Sequence, residues 1–379
     1  MSTSVVVAGF VRSPFTPAGK GQLARIRPDD VAAQVVAALV GRCGLDPCAI
    51  EDLIVGCAFP EAEQGLNVAR TIGLLAGLPA TAAAATVNRL CGSSMQAVHM
   101  AAGAVAMGAG DAIICAGVES MTRVPMPGFN PLPHPGLSQS MPGTAMAMGE
   151  TAELLAKTCG VGRKEQDGFA AASHRRAAAA VAAGRFAEEL VAIRDRGRLI
   201  DWDGCIRSET REATLADLPP AFAAAGSVTA GNTSPLSDGA AALLVCSEDF
   251  AERAALKPLA RLRAVAVAGC APELMGLGPI AATHKALARA GLQMSDIDVV
   301  ELNEAFAVQA IACMRELGID PDRVNVDGGA IALGHPLGAT GIRIVGKAAA
   351  ILARTGGEFA LATQCIGGGQ GIATILESL

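Results

Sequence analysis

Three residues from distant parts of the chain have the types that covalent acid–base chemistry needs. Cys91 lies in Asn88-Arg89-Leu90-Cys91-Gly92-Ser93-Ser94-Met95, His335 in Gly334-His335-Pro336-Leu337-Gly338, and Cys365 in Cys365-Ile366-Gly367-Gly368-Gly369. Cys91 stands at the expected start of a helix running to Gly108. Unpaired N–H donors and the positive end of the helix dipole there favour a thiolate, lowering a thiol pKa that is ordinarily ~8.5. That makes Cys91 a candidate nucleophile. His335, between Gly334 and Pro336 before a helix beginning near Gly338, is rigidly placed, and a neutral imidazole accepts a thiol proton. Cys365 follows an expected strand over 359–363 and precedes glycines whose backbone N–H groups can approach a ligand oxygen closely. A nucleophile, a base and an acid are thus available.

Each residue also has a plainer reading. Most cysteines in an apolar chain are small hydrophobes, a loop histidine is commonly satisfied by a backbone carbonyl, and a glycine run can simply bend between strands. For His99, His134, His174 and His284 such a role, or simple exposure, is preferred. Asn303-Glu304-Ala305-Phe306, at a strand end before a helix, reads equally well as a cap.

The elements that must position these residues repeat. Gly44-Leu45-Asp46 leads through Ile50-Glu51-Asp52-Leu53-Ile54, and Gly291-Leu292-Gln293 leads through Ile297-Asp298-Val299-Val300. The offset, 291 − 44 = 247, also aligns Leu90-Cys91-Gly92-Ser93 with Leu337-Gly338-Ala339-Thr340 and Gly110-Asp111 with Gly357-Glu358. In the first half strands are expected over 5–8, 53–57, 86–87 and 112–116, with helices over 29–42, 66–76 and 92–108. The second half repeats them with strands over 259–267, 299–302, 323–326 and 359–363 and helices over 280–290, 304–317 and 339–353. Such alternation predicts mainly parallel sheets with helical cover. The Pro/Gly/Met stretch over 121–143 and an Ala-rich helical region over 144–183 interrupt the pattern. The expected organisation is 1–120 plus 239–258 as the first half, 121–238 as an inserted loop domain, and 259–379 as the second half.

Composition narrows the class. Hydrophobic residues make up 51% and charged residues 17% of 379 positions, which describes a core-rich globular chain rather than a disordered one. The net charge of −6, without a Lys/Arg cluster, argues against nucleic acid as a partner. Eleven cysteines without a C-x-x-C, and an opening without a charged-then-apolar signal segment, predict reduced thiols, a cytoplasmic protein and no structural metal. The apolar stretch over 101–118 carries Asp111 and is rich in Ala and Gly, so it reads as helix then strand, not a membrane span. Gly341 to Lys347 fits G-x-x-x-x-G-K, but Ala348 stands where a Mg²⁺-binding hydroxyl is needed, which argues against a phosphate loop. Ser93 and Ser94 lack the G-x-S-x-G elbow of serine hydrolases.

The chain resembles the thiolase family over nearly its whole length. Besides the Cys91 and Cys365 segments, the resemblance rests on Glu63-Gln64-Gly65-Leu66-Asn67-Val68-Ala69-Arg70, Val228-Thr229-Ala230-Gly231-Asn232, Ser237-Asp238-Gly239-Ala240-Ala241, Asn303-Glu304-Ala305-Phe306 and Gly329-Ala330-Ile331-Ala332-Leu333-Gly334-His335-Pro336, in the family's order. It implies an α/β fold of two similar halves in a five-layer α-β-α-β-α arrangement with an inserted loop domain. It also implies that His335 activates Cys91, that Cys91 is acylated by a 3-ketoacyl-CoA as acetyl-CoA leaves, and that Cys365 protonates the departing carbanion. Asn303 (through a water) with His335, and the N–H groups of Cys91 and Gly367, would form two oxyanion holes. Met148, Ala230, Ser234, Ala305 and Phe306 match positions along the pantetheine arm of coenzyme A.

By resemblance coenzyme A is a substrate and no resident cofactor is needed. A homodimer or homotetramer is implied, and degradative members can pair with a hydratase/dehydrogenase subunit. Ala147 replaces a histidine frequent in biosynthetic members, and Ser94 replaces their frequent glycine, so the degradative 3-ketoacyl-CoA thiolases of fatty-acid β-oxidation are the nearer resemblance. A biosynthetic acetoacetyl-CoA thiolase and a non-catalytic acyl-CoA-binding subunit are the alternatives. Pro219 stands where the family often has an arginine contacting the nucleotide, so that contact is missing.

Overall fold

The computed structural model describes residues 3–379. β1 (Val5–Arg12) is followed by α1 (Pro28–Cys43), β2 (Asp52–Gly56), α2 (Val68–Leu75), β3 (Ala83–Val87), α3 (Ser93–Ala106) and β4 (Ala112–Ser120). In the inserted stretch α4 (Met148–Cys159) and α5 (Arg163–Ala182) precede β5 (Ser237–Ser247). The second half contributes β6 (Ala260–Gly269), α6 (Gly278–Ala290), β7 (Val299–Leu302), α7 (Ala307–Leu317), α8 (Leu337–Thr355), β8 (Phe359–Ile366) and β9 (Gln370–Glu377).

Local chemistry sets the repeated boundaries. Pro28 opens α1 and Gly44, left-handed at φ 63°, closes it; Pro279 lies in the first turn of α6 and Gly291, at φ 72°, closes it. A 3₁₀ turn then follows in each half, Pro47–Ala49 and Met294–Asp296, the second displaced by the predicted 247 positions. β2 and β7, and β4 and β8, begin at the same offset.

The strand order is β7-β8-β9-β6-β1-β5-β4-β2-β3. Only β2 with β3, β2 with β4, and β7 with β8 are parallel. Strands β5, β1, β6 and β9 join antiparallel, so the expectation of mainly parallel sheets is corrected to mixed ones. The reason is local: the glycine turn after Ile366 folds β9 straight back on β8, and a hairpin needs no helical crossover. The halves meet edge to edge where β1 pairs β6 at Val6 with Arg261 and Val7 with Ala260.

Alternation along the strands sorts apolar side chains into layers. Ile114, Ala116, Ala242 and Leu244 face the core under α1 and α2, whereas Ile113, Cys115, Leu243 and Val245 face α3 and α8. Ile372 and Leu376 meet those same central helices from the other half, while Ala373 and Ile375 face the core under α6 and α7. The order α-β-α-β-α follows. α8 lies in the middle, and Leu337 through Ala349 are buried on every side, as a fully enclosed helix requires.

The expected strand over 323–326 is instead a 3₁₀ turn, Pro321–Arg323, followed by a single bridge from Val324 to Val300. Asn325 ends the pairing: its backbone is left-handed at φ 47°, and its amide takes the ladder's place by accepting from Leu302 N–H (3.0 Å) and donating to the Leu302 carbonyl (2.8 Å). The inserted helices do not build a core of their own, since Ala152, Leu155 and Ala170 pack with Ile311, Met314 and Phe306. No helix among the described residues is long and apolar enough to cross a membrane.

Candidate active site

Cys91 sits between β3 and α3 on a loop built backward from the helix. The Ser93 hydroxyl donates to the Leu90 carbonyl (2.6 Å) and accepts from Arg89 N–H (2.9 Å), while Asn88 accepts from Leu90 N–H (2.7 Å). Leu90 is held at φ 46°, an unusual conformation for a residue with a side chain and one that surrounding contacts must enforce. Gly56 is held to glycine by backbone, and Gly92 is closely packed against side chains. A β-carbon on Gly92 would lie 2.5 Å from Ile366, and one on Gly56 would lie 2.2 Å from the Ser94 nitrogen.

The second half closes on this loop. Gln364 on β8 donates to the Cys91 carbonyl, and Leu337, two residues past His335, packs beside Cys91. Cys365 follows Gln364 within β8 rather than after its end, as the shorter expected strand had it. The Gly367 N–H reaches the Cys91 sulfur, and a β-carbon on Gly367 would sit 3.4 Å from Leu90 and 3.5 Å from the Met148 sulfur. Gly368 and Gly369, at φ 77° and 82°, make the turn into β9.

His335 follows Gly334, itself at φ 104°. Its backbone N–H donates to Ser237 Oγ (2.8 Å), ring Nδ1 lies 2.6 Å from Thr340 Oγ1, and Nε2 lies 3.4 Å from Asn303 Nδ2. Asn303 is anchored by its N–H to the Thr363 carbonyl (3.0 Å), and its own Oδ1 is buried without a partner. An unpartnered buried carbonyl oxygen is costly unless something donates to it. No hydrogen bond joins either thiol to the imidazole in this state; such contacts commonly tighten only with substrate present.

Burial decides the protonation states. The Cys91 thiol is pushed up to about 11 by burial and by the Glu119 carboxylate, against the pull of the Gly367 N–H. Cys365 is raised further by burial and by its neighbour Cys91. His335 is lowered to about 3 by burial and by the positive charge of Arg343. The expected thiolate at the helix start is therefore corrected: desolvation outweighs the helix dipole, and the resting pair is a neutral thiol and a neutral imidazole.

Of the residues expected along the coenzyme arm, Met148 flanks the Gly367 turn. Ser234 donates through N–H (3.1 Å) and Oγ (3.0 Å) to the Ala305 carbonyl, Thr233 bridges Phe306, and Phe306 meets Phe222 edge-on at 6.3 Å. Ala230 is exposed. Of the other histidines, His134 and His284 are exposed as expected, whereas His99 and His174 are satisfied not by a backbone carbonyl but by the Thr374 hydroxyl (2.9 Å) and by the Arg207 N–H (3.1 Å). Lys347, the lysine of the false phosphate loop, lies inside α8 and pairs Glu189 and Asp327 at 3.0 Å.

Sequence reasoning missed Glu119, Gln364, Thr340 and Ser237. Glu119 accepts from Ala58 N–H (2.8 Å), Phe59 N–H (3.3 Å), Gln64 Nε2 (2.9 Å) and Gly338 N–H (2.9 Å), tying the loop after β2 to the start of α8. A polar residue at the end of an otherwise apolar strand was the available signal for Glu119 and Gln364. Thr340 carried none.

Two family models cover the chain: "Thiolase, N-terminal domain" matches residues 5–249 and "Thiolase, C-terminal domain" matches 256–378. A 3-ketoacyl-CoA thiolase of Bacillus subtilis (strain 168) is 46% identical, with 100% of each chain covered. The crystal structure of the Bacillus anthracis acetyl-CoA acetyltransferase superposes with a TM-score of 0.92 at 36% identity, covering 100% of this chain and 99% of that one. Human mitochondrial 3-ketoacyl-CoA thiolase in complex with CoA gives 0.91 at 36% identity over 100% and 98%. With both halves matched by the family's own models and a relative nearly half identical from end to end, the chain belongs to the thiolase family.

Proposed function

We propose that this protein is a 3-ketoacyl-CoA thiolase, transferring an acyl group from a 3-ketoacyl-CoA to coenzyme A and releasing acetyl-CoA, in fatty-acid β-oxidation. The observation that carries the reading is the meeting of Cys91 with Gln364, Cys365 and Gly367 from the other half, beside the His335–Asn303 contact. His335 Nε2 takes the Cys91 proton, and the sulfur attacks the ketone carbon. The N–H groups of Cys91 and Gly367 stabilise the resulting oxyanion; a donor of this kind contributes about 3 kcal/mol. Cleavage of the carbon–carbon bond leaves acyl-Cys91 and the acetyl-CoA enolate, whose oxygen faces Asn303 and His335 and whose carbon takes the Cys365 proton. Coenzyme A then gives its proton to Cys365, its sulfur takes the acyl group, and Cys91 recovers its proton from His335.

Relatives named 3-ketoacyl-CoA thiolase at 46–48% identity support this reading over acetoacetyl-CoA synthesis, although the structural likeness extends equally to an acetyl-CoA acetyltransferase. Ala147 leaves volume that longer acyl chains can use. Met148, Ser234, Ala305 and Phe306 are proposed to line the coenzyme arm, with exposed Ala230 at its rim. The division into 1–120 with 239–258, 121–238 and 259–379 remains our proposal, supported by β5 pairing β1 and β4 across the insertion. A homodimer is proposed through β3, which pairs on one side only, with exposed Leu74, Leu75 and Met107 nearby.

Mass spectrometry after mixing with acetyl-CoA tests the reading. An acetyl adduct is expected that Cys91→Ala cannot form, together with consumption of 3-ketoacyl-CoAs only when free coenzyme A is added. A parent chain that forms no adduct would leave the acyl-CoA-binding alternative standing. Turnover confined to acetoacetyl-CoA would favour the biosynthetic reading.

A further inference from the structure

We propose that Thr340 is a positioning residue that fixes the tautomer of His335, holding the ring hydrogen on Nδ1 and leaving the Nε2 lone pair free to accept a proton. The argument is donor and acceptor accounting. Thr340 Oγ1 lies 2.6 Å from His335 Nδ1 and 3.0 Å from the Pro336 carbonyl oxygen. A carbonyl oxygen only accepts, and a hydroxyl has one hydrogen to give. With that hydrogen directed to Pro336, the Thr340 oxygen can only accept from the ring, so Nδ1 carries the hydrogen. On the other side of the ring, Nε2 meets the Asn303 Nδ2 amide, which is itself a donor, at 3.4 Å.

The opposite assignment fails at Thr340, where it would leave two oxygens facing at 3.0 Å with no hydrogen between them. On the Asn303 side it would require the amide to be reversed, with Oδ1 accepting from Nε2–H. Thr340 is itself immobilised. It is fully buried on the first turn of α8, its backbone N–H donates to the same Pro336 carbonyl (3.1 Å), and Ser237 Oγ pins the His335 N–H (2.8 Å). The charged group acting on the ring is Arg343, one turn further along α8, whose Nη1 is committed to Glu301 (2.9 Å) on β7. Glu119, from β4, and the two thiols are further titratable groups of the site, with Cys313 and Cys270 behind Cys365.

The inference rests on the proposed base role of His335, and its test separates the two. With five histidines in the chain, ¹⁵N-histidine labelling and a His335→Asn control assign the ring signals. The parent and Thr340→Ser are expected to show Nδ1–H with a bare Nε2 and equal rates of acyl transfer to Cys91. Thr340→Val, which keeps the shape and removes the acceptor, is expected to lose that preference and to acylate roughly 100-fold more slowly with little change in KM, the scale of losing a general base. Should the valine variant not fold, Thr340→Ala carries the same readouts. A parent whose Nε2 bears the hydrogen, or a Thr340→Val that keeps both the Nδ1–H state and the parent rate, would overturn the proposal. A parent that shows Nδ1–H but no CoA-dependent cleavage would support the tautomer lock while counting against the proposed function.

Discussion

Two polar regions reach into the interior of this molecule, one holding neutral groups and the other ionised ones. Around Cys91, Cys365 and His335 no opposite charge faces the titratable groups, so burial drives all three toward their neutral forms. Around Asp327 burial pushes the same way, yet Arg354 (2.9 Å), Lys347 (3.0 Å) and Arg185 (2.8 Å) outweigh it and hold the carboxyl down to about 2. Fully buried Arg12 extends this cluster to Glu189 and Asp203 at 2.7 Å each. The cluster binds the inserted stretch through Glu189 and Asp203 to β1 and to α8. Counter-charge separates a structural ion cluster from a site poised for proton transfer. Helix α8 serves both, presenting Thr340 to the histidine and Lys347 to the ions.

Breaking the ionic side should cost stability before chemistry. Asp327→Ala removes the carboxylate shared by Arg185, Arg354 and Lys347; because the arginines reach solvent and Lys347 keeps Glu189 (3.0 Å), a loss of about 3 kcal/mol, the low end for a broken buried pair, is expected in denaturant unfolding. The folded fraction should retain the parent kcat; a parent-like midpoint would remove the cluster's structural role.

Breaking the neutral side should do the reverse. Asn303→Ala removes an expected enolate donor, and steady-state kinetics should show kcat lower by roughly 10²–10³-fold with unfolding little changed. An equal loss on both measures would merge the two regions into one structural unit.

Acid sharpens the contrast with a smaller effect. His335 binds a proton in the unfolded chain below its ordinary 6.5 but in the folded chain only near 3, so its contribution is present above pH 6.5 and is lost as pH falls toward 3. Asp327 runs from 3.8 unfolded to about 2 folded, so its contribution is present above pH 4 and disappears toward pH 2. His335→Asn should flatten the stability slope in the upper window, to which half-buried His99 and buried His174 also contribute, and Asp327→Asn only in the lower one. Slopes that change in the same window would show the regions titrating together.

The duplication was legible because its signals are local. Gly44 and Gly291 close equivalent helices through a left-handed residue, and the offset between them carries through the next turn and strand. It fails at 323–326, where a side-chain amide replaces strand pairing in a way that apolar spacing does not encode. Strand direction was misjudged for a related reason: alternation identifies strands and helices, whereas the glycines after Ile366 decide whether the chain returns by a hairpin.

By itself the sequence determined which residues are chemically able to react and the order of the elements that carry them, since residue type, periodicity and turn chemistry act over a few positions. Only the tertiary structure decided their state. Cys91 is a neutral thiol because of burial and Glu119, its carbonyl is held by Gln364 273 positions away, and the ring of His335 is oriented by Thr340 and Asn303. Desolvation and hydrogen-bond direction depend on which groups meet in space, and for Cys91 those groups come from both halves of the fold.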